Sequence, residues 1–403
     1  MSKQVARYPA WIALAGAVLG LVFAAYSTLD YVRHLDRQVH DLHCSIVPGA
    51  AAVEAAESGS RTALYSAYSA LWRDKIWGGV PISLFAVGAF SFFAAVATYL
   101  GVASGQAPRR AWRFLGYASL GPVLVSITMA IISATELGSF CQTCIGIYVS
   151  SAILAIGGIL GWVRDVRSQG AEGQPLGAKL LPVSMAAGLA IFVIIPTAFY
   201  LRRVPSYAER VRGCGELAKP MQGDAALRVT YPRAKESATM VVDPLCPSCK
   251  AFHQRLESEG VLEQLDVTVV LFPLDSECNW NLSTPLHAGA CELAKAVLCG
   301  ERPMDVLEWA YAEQEALTAA GGGKDGKDRL GTMIRARWGE EVGACVEKKE
   351  TRMELDQHLR FAVENNLPVA TPQLFVNRER LCDEDMDIGL SYALARIAPT
   401  VME

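Results

Sequence analysis

Charged residues are spaced unevenly along this chain. In its first half they bracket five uncharged stretches, at 8–29, 76–108, 114–135, 137–163 and 180–201. At about 1.5 Å of rise per residue, each is long enough to cross a hydrocarbon core of about 30 Å as a helix. Five such runs argue against buried helices of a soluble domain and predict a multi-pass α-helical membrane bundle. Beyond Arg203 the pattern becomes that of a soluble domain. There, Thr239–Val242 and Leu265–Leu274 read as strands, with β-branched and alternating apolar residues. Residues 283–366 read mostly as helix, broken by the polar loop GGGKDGKD, and Val369–Asn377 reads as a short strand opened by Pro372. Asp383–Ala398 has helical periodicity, and the chain has no internal repeat.

Composition agrees with a membrane protein: 52% of the 403 residues are apolar and the mean hydropathy is +0.24. Basic residues predict the orientation. Lys3 and Arg7 precede the first run, Arg109, Arg110 and Arg113 lie between the second and third, and Arg164, Arg167 and Lys179 lie between the fourth and fifth. The turn around Glu136–Ser139 has no basic residue. By the positive-inside rule the N-terminus is cytoplasmic and the C-terminal domain lies outside. The first run has no small-residue cleavage site and reads as a retained anchor. The predicted organisation is a four-span domain over 1–168, a cytoplasmic turn and fifth span over 169–204, and an extracytoplasmic domain over 205–403. A net charge of −4 without a basic cluster offers nothing to nucleic acid.

This topology puts all eleven cysteines on the outer side, where lasting disulfides are permitted and thiol chemistry outranks zinc. Cys246-Pro247-Ser248-Cys249 follows a strand and opens a helical pattern. The two-residue gap brings both sulfurs within disulfide reach. The positive end of the helix favours a thiolate at Cys246, the attacking sulfur, which Cys249 then resolves. No second such pair and no histidine pair at ligand spacing follows, so no metal site is expected. Cys214, Cys278, Cys291, Cys299, Cys345 and Cys382 read as structural, with 15 possible pairings.

The order strand, Cys-Pro-Ser-Cys, helix, strand, helical insert, Thr371-Pro372, strand, helix resembles an α/β thioredoxin-like fold with a helical insertion, of the DsbA-like subgroup. The resemblance spans roughly 225–403. It implies a cis peptide at Pro372, packed against the sulfur pair where a substrate strand docks.

A second resemblance covers roughly 8–165. Four spans, Cys141-Gln142-Thr143-Cys144 opening the fourth, Tyr148 four residues on, Cys44 in the first outer loop and WGGVPISL opening the second span are similar to the vitamin K epoxide reductase family. Bacterial members are often fused through a fifth span to a thioredoxin-like domain. The resemblance implies that Cys144 sits beside a quinone ring and that Cys141 exchanges with loop cysteines. It also implies that Ser66 and Tyr148 line the ring; by residue type alone, these are a loop hydroxyl and an interfacial aromatic. A thiol pair at a helix mouth suits a reducible ring carried on an apolar tail.

One position departs from the family, which carries a second loop cysteine where this chain has Ser60. A hydroxyl cannot form a disulfide. Three readings stay open: Cys44 takes electrons directly from Cys246, Ser60 replaces a relay cysteine, or the loop aligns differently.

The leading functional expectation is a quinone-linked thiol:disulfide oxidoreductase that generates disulfides in secreted proteins. Electrons pass from Cys246–Cys249 through Cys44 to Cys141–Cys144 and then to ubiquinone or menaquinone. The alternatives are an extracytoplasmic reductase or isomerase, and a non-catalytic redox-sensing or peptide-binding module.

Overall fold

The structure, a computed structural model, describes residues 8–33, 66–103, 107, 109–135, 141–167, 181–221 and 226–402. The chain divides into two compact units, Met1–Ser206 and Tyr207–Glu403.

The first unit is a helical bundle with five helices long and apolar enough to cross a membrane. Helix α1 spans Tyr8–Val32. A small ladder follows, β1 (Ala70–Leu71) antiparallel to β2 (Val80–Pro81), leading into α2 (Ile82–Ala103). The third span is built of α3 (Arg109–Ala118) and α4 (Leu120–Thr135), interrupted at Ser119. Helices α5 (Gln142–Arg167) and α6 (Leu181–Arg203) complete the bundle. These helices indicate a multi-pass membrane protein.

Helix α1 packs against α2 and α5. Small residues set that approach: a Cβ added to Gly157 would lie 2.3 Å from the Ala13 nitrogen, and one added to Gly16 would lie 2.4 Å from the Leu154 nitrogen. Close backbone contact replaces the hydrophobic drive that lipid does not supply between helices.

The second uncharged run differs from its expected form, because its helix starts only at Ile82. Gly78 and Gly79, at φ +72° and +70°, turn the chain into β2 first. The Tyr31 hydroxyl donates to the Gly78 carbonyl, and the Tyr200 hydroxyl donates to the Gly79 carbonyl at 2.9 Å. The first and fifth spans thereby hold the turn, and the adjoining Trp77 is buried.

The second unit contains a five-stranded sheet in the order β3-β5-β4-β6-β7. Its strands are β3 (Leu227–Thr230), β4 (Glu236–Val242), β5 (Leu265–Leu271), β6 (Gln373–Val376) and β7 (Glu379–Arg380). Strands β4 and β5 are parallel and joined through α7 (Pro247–Ser258); the other pairings are antiparallel. Between β5 and β6 lies the helical insertion: α8 (Ala290–Cys299), α9 (Pro303–Ala312), α10 (Gln314–Gly321), α11 (Gly326–Val346) and α12 (Lys349–Glu364). Helix α13 (Leu390–Ile397) follows β7. This is a thioredoxin-like α/β domain. Its edge strands β3 and β7 escape the sequence reading, since four and two residues carry little periodicity. The Leu265–Leu274 run forms a strand only to Leu271, and of Asp383–Ala398 only residues 390–397 are α-helical.

Candidate functional sites

Two cysteine pairs share one local design. In the membrane unit, Cys141 stands just before α5 and its carbonyl accepts the Ile145 N–H at 3.0 Å, placing Cys144 in the first turn. In the soluble unit, Cys246 is the N-cap of α7, Pro247 follows at the first helical position, and the Cys246 carbonyl accepts the Lys250 N–H at 3.2 Å. Proline is suited to that position because its missing N–H would have no helical partner there.

The membrane pair opens onto a cavity of about 150 Å³. Cys141, Cys144, Ser66 and Tyr148 all line it, so four residues separated in sequence share one space. Ile82, Ala86, Met129 and Ile147 supply apolar walls, while Ser126 and Ser133 add hydroxyls. Tyr148 and Ser133 share this lining. The Cys141 sulfur is 2.9 Å from the Thr143 hydroxyl, and Cys144 interacts with Cys141. Ser66 begins a turn whose carbonyl accepts from the Ser69 N–H at 3.2 Å, the Ser69 hydroxyl at 2.9 Å and the Arg73 guanidinium at 3.0 Å. Asp30 and Tyr31 also line the cavity, and sequence reasoning passed over both. Cys44 and Ser60 lie outside the described residues.

In the soluble unit Cys246 and Cys249 are thiols. The Cys246 thiol reaches the Thr371 carbonyl at 3.5 Å, and the Thr371–Pro372 peptide is cis. The Asp243 N–H donates to the Cys249 sulfur at 3.5 Å. Hydrogen bonding from Cys249 brings the Cys246 thiol down to about 6; Thr371 and the Cys249 backbone N–H add to this, against the opposing effect of burial. Burial pushes Cys249 up, and so does its neighbour Cys246. One sulfur is thus prepared as nucleophile and the other kept as a thiol.

Sequence reasoning missed three groups around this pair. Asp243 is fully buried and accepts the Leu245 and Leu274 N–H groups, each at 2.7 Å. His287 Nδ1 meets the same carboxylate at 2.7 Å, which raises the imidazole above its ordinary value. Tyr311 of α9 is buried against Cys249, and burial pushes its phenol well up. Asp243 was visible in VVDPLC as a turn residue. Nothing local marks His287 or Tyr311, because the insertion brings them in from far along the chain. The six remaining cysteines pair as Cys214–Cys382, Cys278–Cys291 and Cys299–Cys345. The second bridge closes the loop that carries His287.

These two units define a membrane protein with an oxidoreductase-type fold and cysteine pairs able to exchange disulfides. Residues 11–158 match the Vitamin K epoxide reductase family, so the chain joins a domain of that family to a thioredoxin-fold domain. No curated protein sequence matches the chain. Among solved structures, Wolbachia pipientis alpha-DsbA1 is 16% identical, with 40% of this chain and 77% of that chain covered and a TM-score of 0.31. The thiol-disulfide oxidoreductase MdbA from Corynebacterium diphtheriae is 12% identical, covering 46% and 98%, with a TM-score of 0.33. Reduced DsbA1 from Neisseria meningitidis is 15% identical, covering 48% and 95%, with a TM-score of 0.31. The assignment of the soluble fold rests on its own sheet order and on the placement of the cysteine pair and cis-proline.

Proposed function

We propose that this protein is a quinone-linked thiol:disulfide oxidoreductase that makes disulfides in secreted proteins. One observation carries the proposal: a single cavity in the membrane unit brings Cys141 and Cys144 together with Ser66 and Tyr148. An apolar cavity of about 150 Å³ holds a benzene ring, so a ring of quinone type fits this volume. Its apolar walls suit the ring faces, and the hydroxyls of Ser66, Ser133 and Tyr148 suit ring oxygens. A bound quinone would supply a two-electron, two-proton acceptor. Cys144, in the first turn of α5, is the thiol assigned to the ring, and Cys141 is the one assigned to exchange.

At the soluble pair, a substrate thiolate attacks the Cys246 sulfur of the disulfide, forming a mixed disulfide and releasing Cys249; a second thiolate of the substrate then attacks the substrate sulfur, forming the substrate disulfide and releasing Cys246. Two electrons remain on the pair, with one proton on Cys249 and the other released to solvent from the Cys246 thiolate. The thiolate held at Cys246 stabilises the reduced form, which makes the pair an oxidant of substrates and favours this direction over reduction of disulfides. Reoxidation by Cys141–Cys144 through Cys44 completes the cycle. Basic residues in the turns support an extracytoplasmic position for the soluble unit.

The test is dithiol-dependent quinone reduction by the purified protein in detergent. Wild type is expected to turn over, and Cys144→Ala to lose turnover. Equal rates in the two proteins would overturn the proposal. Ser60→Cys, assayed alongside, is expected to raise the rate if that position serves as the missing relay.

A further inference from the structure

Helix α7 carries a second group of chemically capable side chains, one turn beyond Cys249. His253 is 3% exposed, and neither of its ring nitrogens has a hydrogen-bond partner. Its Nε2 lies 3.5 Å from Glu257 Oε1, on the same helix four residues on, and 3.8 Å from Glu308 Oε1, on α9. One ligand atom from each of the three side chains falls within 4.8 Å of the other two. Among the described residues neither glutamate has a lysine or arginine partner, whereas neighbouring Glu263 pairs with Arg233 at 3.7 Å.

We propose that His253, Glu257 and Glu308 form a divalent-cation site, with Zn²⁺ the best match, that clamps the redox helix to the helical insertion. Bond lengths of about 2.0–2.1 Å from zinc to imidazole nitrogen and carboxylate oxygen give tetrahedral edges of about 3.3–3.4 Å. The observed 3.5 and 3.8 Å need only small movements of two half-exposed glutamates. Solvent reaches those glutamates, which leaves a fourth position for water. One imidazole and two carboxylates suit a borderline cation better than a soft one. The clamp has a direct line to the active site, because the His253 and Tyr311 rings are 5.6 Å apart and Tyr311 is buried against Cys249.

The experiment uses the full-length, untagged protein in detergent, stripped with chelator and oxidised so that Cys246 and Cys249 offer no thiolate. Zn²⁺ is added by isothermal titration calorimetry. The expected result is one strong site. Glu257→Gln or Glu308→Gln alone is expected to weaken it at least about tenfold, and the pair of exchanges to abolish it. Chelation lowers the Tm of wild type and leaves that of the double variant unchanged. Absence of binding below about 100 μM, or binding undiminished in the double variant, would overturn the proposal. The second outcome would place the ion elsewhere on the chain. Quinone turnover plays no part in this readout.

Discussion

His287 Nδ1 stands 2.7 Å from Asp243 Oδ2, and that carboxylate also takes the N–H groups of Leu245 and Leu274. One buried side chain therefore ties together the cysteine turn, the segment after β5 and the loop closed by Cys278–Cys291. Asp243→Ala leaves two buried N–H groups without an acceptor, at about 1–3 kcal/mol each. Chemical denaturation is expected to show a loss of about 3 kcal/mol or more. A loss below about 1 kcal/mol would mean that water substitutes for the carboxylate.

The same pair gives a pH signature. Asp243 raises His287, and a raised folded value contributes stability that is fully present below the unfolded value of about 6.5. That stability is lost as pH rises through the folded value. The gap in denaturation midpoint between wild type and His287→Gln should therefore narrow as pH is raised. A gap that widens toward alkaline pH would contradict the assignment.

Cys246 can be followed by its alkylation rate, read by mass spectrometry on the Cys246 peptide. The rate is expected to rise with a midpoint at about pH 6. Cys249→Ala should move the midpoint up, because hydrogen bonding from Cys249 is the largest cause of the lowering. The folded value is depressed, so the reduced domain gains stability that is fully present above the unfolded value of about 8.5. That gain declines as pH falls and is lost through about pH 6.

The three bridges should differ in worth because they close loops of different length. Sequence separations are 168 for Cys214–Cys382, 46 for Cys299–Cys345 and 13 for Cys278–Cys291. Chain-entropy scaling gives about 5, 4 and 3 kcal/mol in that order. Paired Cys→Ala variants compared by denaturant midpoint check the ranking. In the last pair, weakened His287 binding to Asp243 is an added consequence.

How much of this was legible beforehand depends on how local each signal is. Run length and charge spacing were enough for the membrane helices, because a helix without water must be apolar along its whole span. The Cys246–Cys249 motif after a β-branched run was similarly local. The late start of α2 was hidden, since only the positive φ of Gly78 and Gly79 reveals that WGGV is a turn. Ser66 and Tyr148 entered through family resemblance, and the cavity brings them to the membrane cysteines. His287, Tyr311 and the disulfide pairing depend on chain returning from a distance, which no window of sequence contains. His253, Glu257 and Glu308 escaped for the same reason, as half of that cluster's acidic charge comes from α9 in the insertion.

The most direct measurement of the central claim follows the redox state of the Cys246–Cys249 pair itself. Purified protein in quinone-containing proteoliposomes is mixed with a reduced, unfolded substrate protein, and thiols are trapped by acid and alkylation over time. In wild type the pair is expected to become reduced and then return to the disulfide, with substrate oxidised in many-fold excess over enzyme. In Cys144→Ala it should become reduced and stay so after about one equivalent. Return to the disulfide at the wild-type rate in Cys144→Ala would contradict the account.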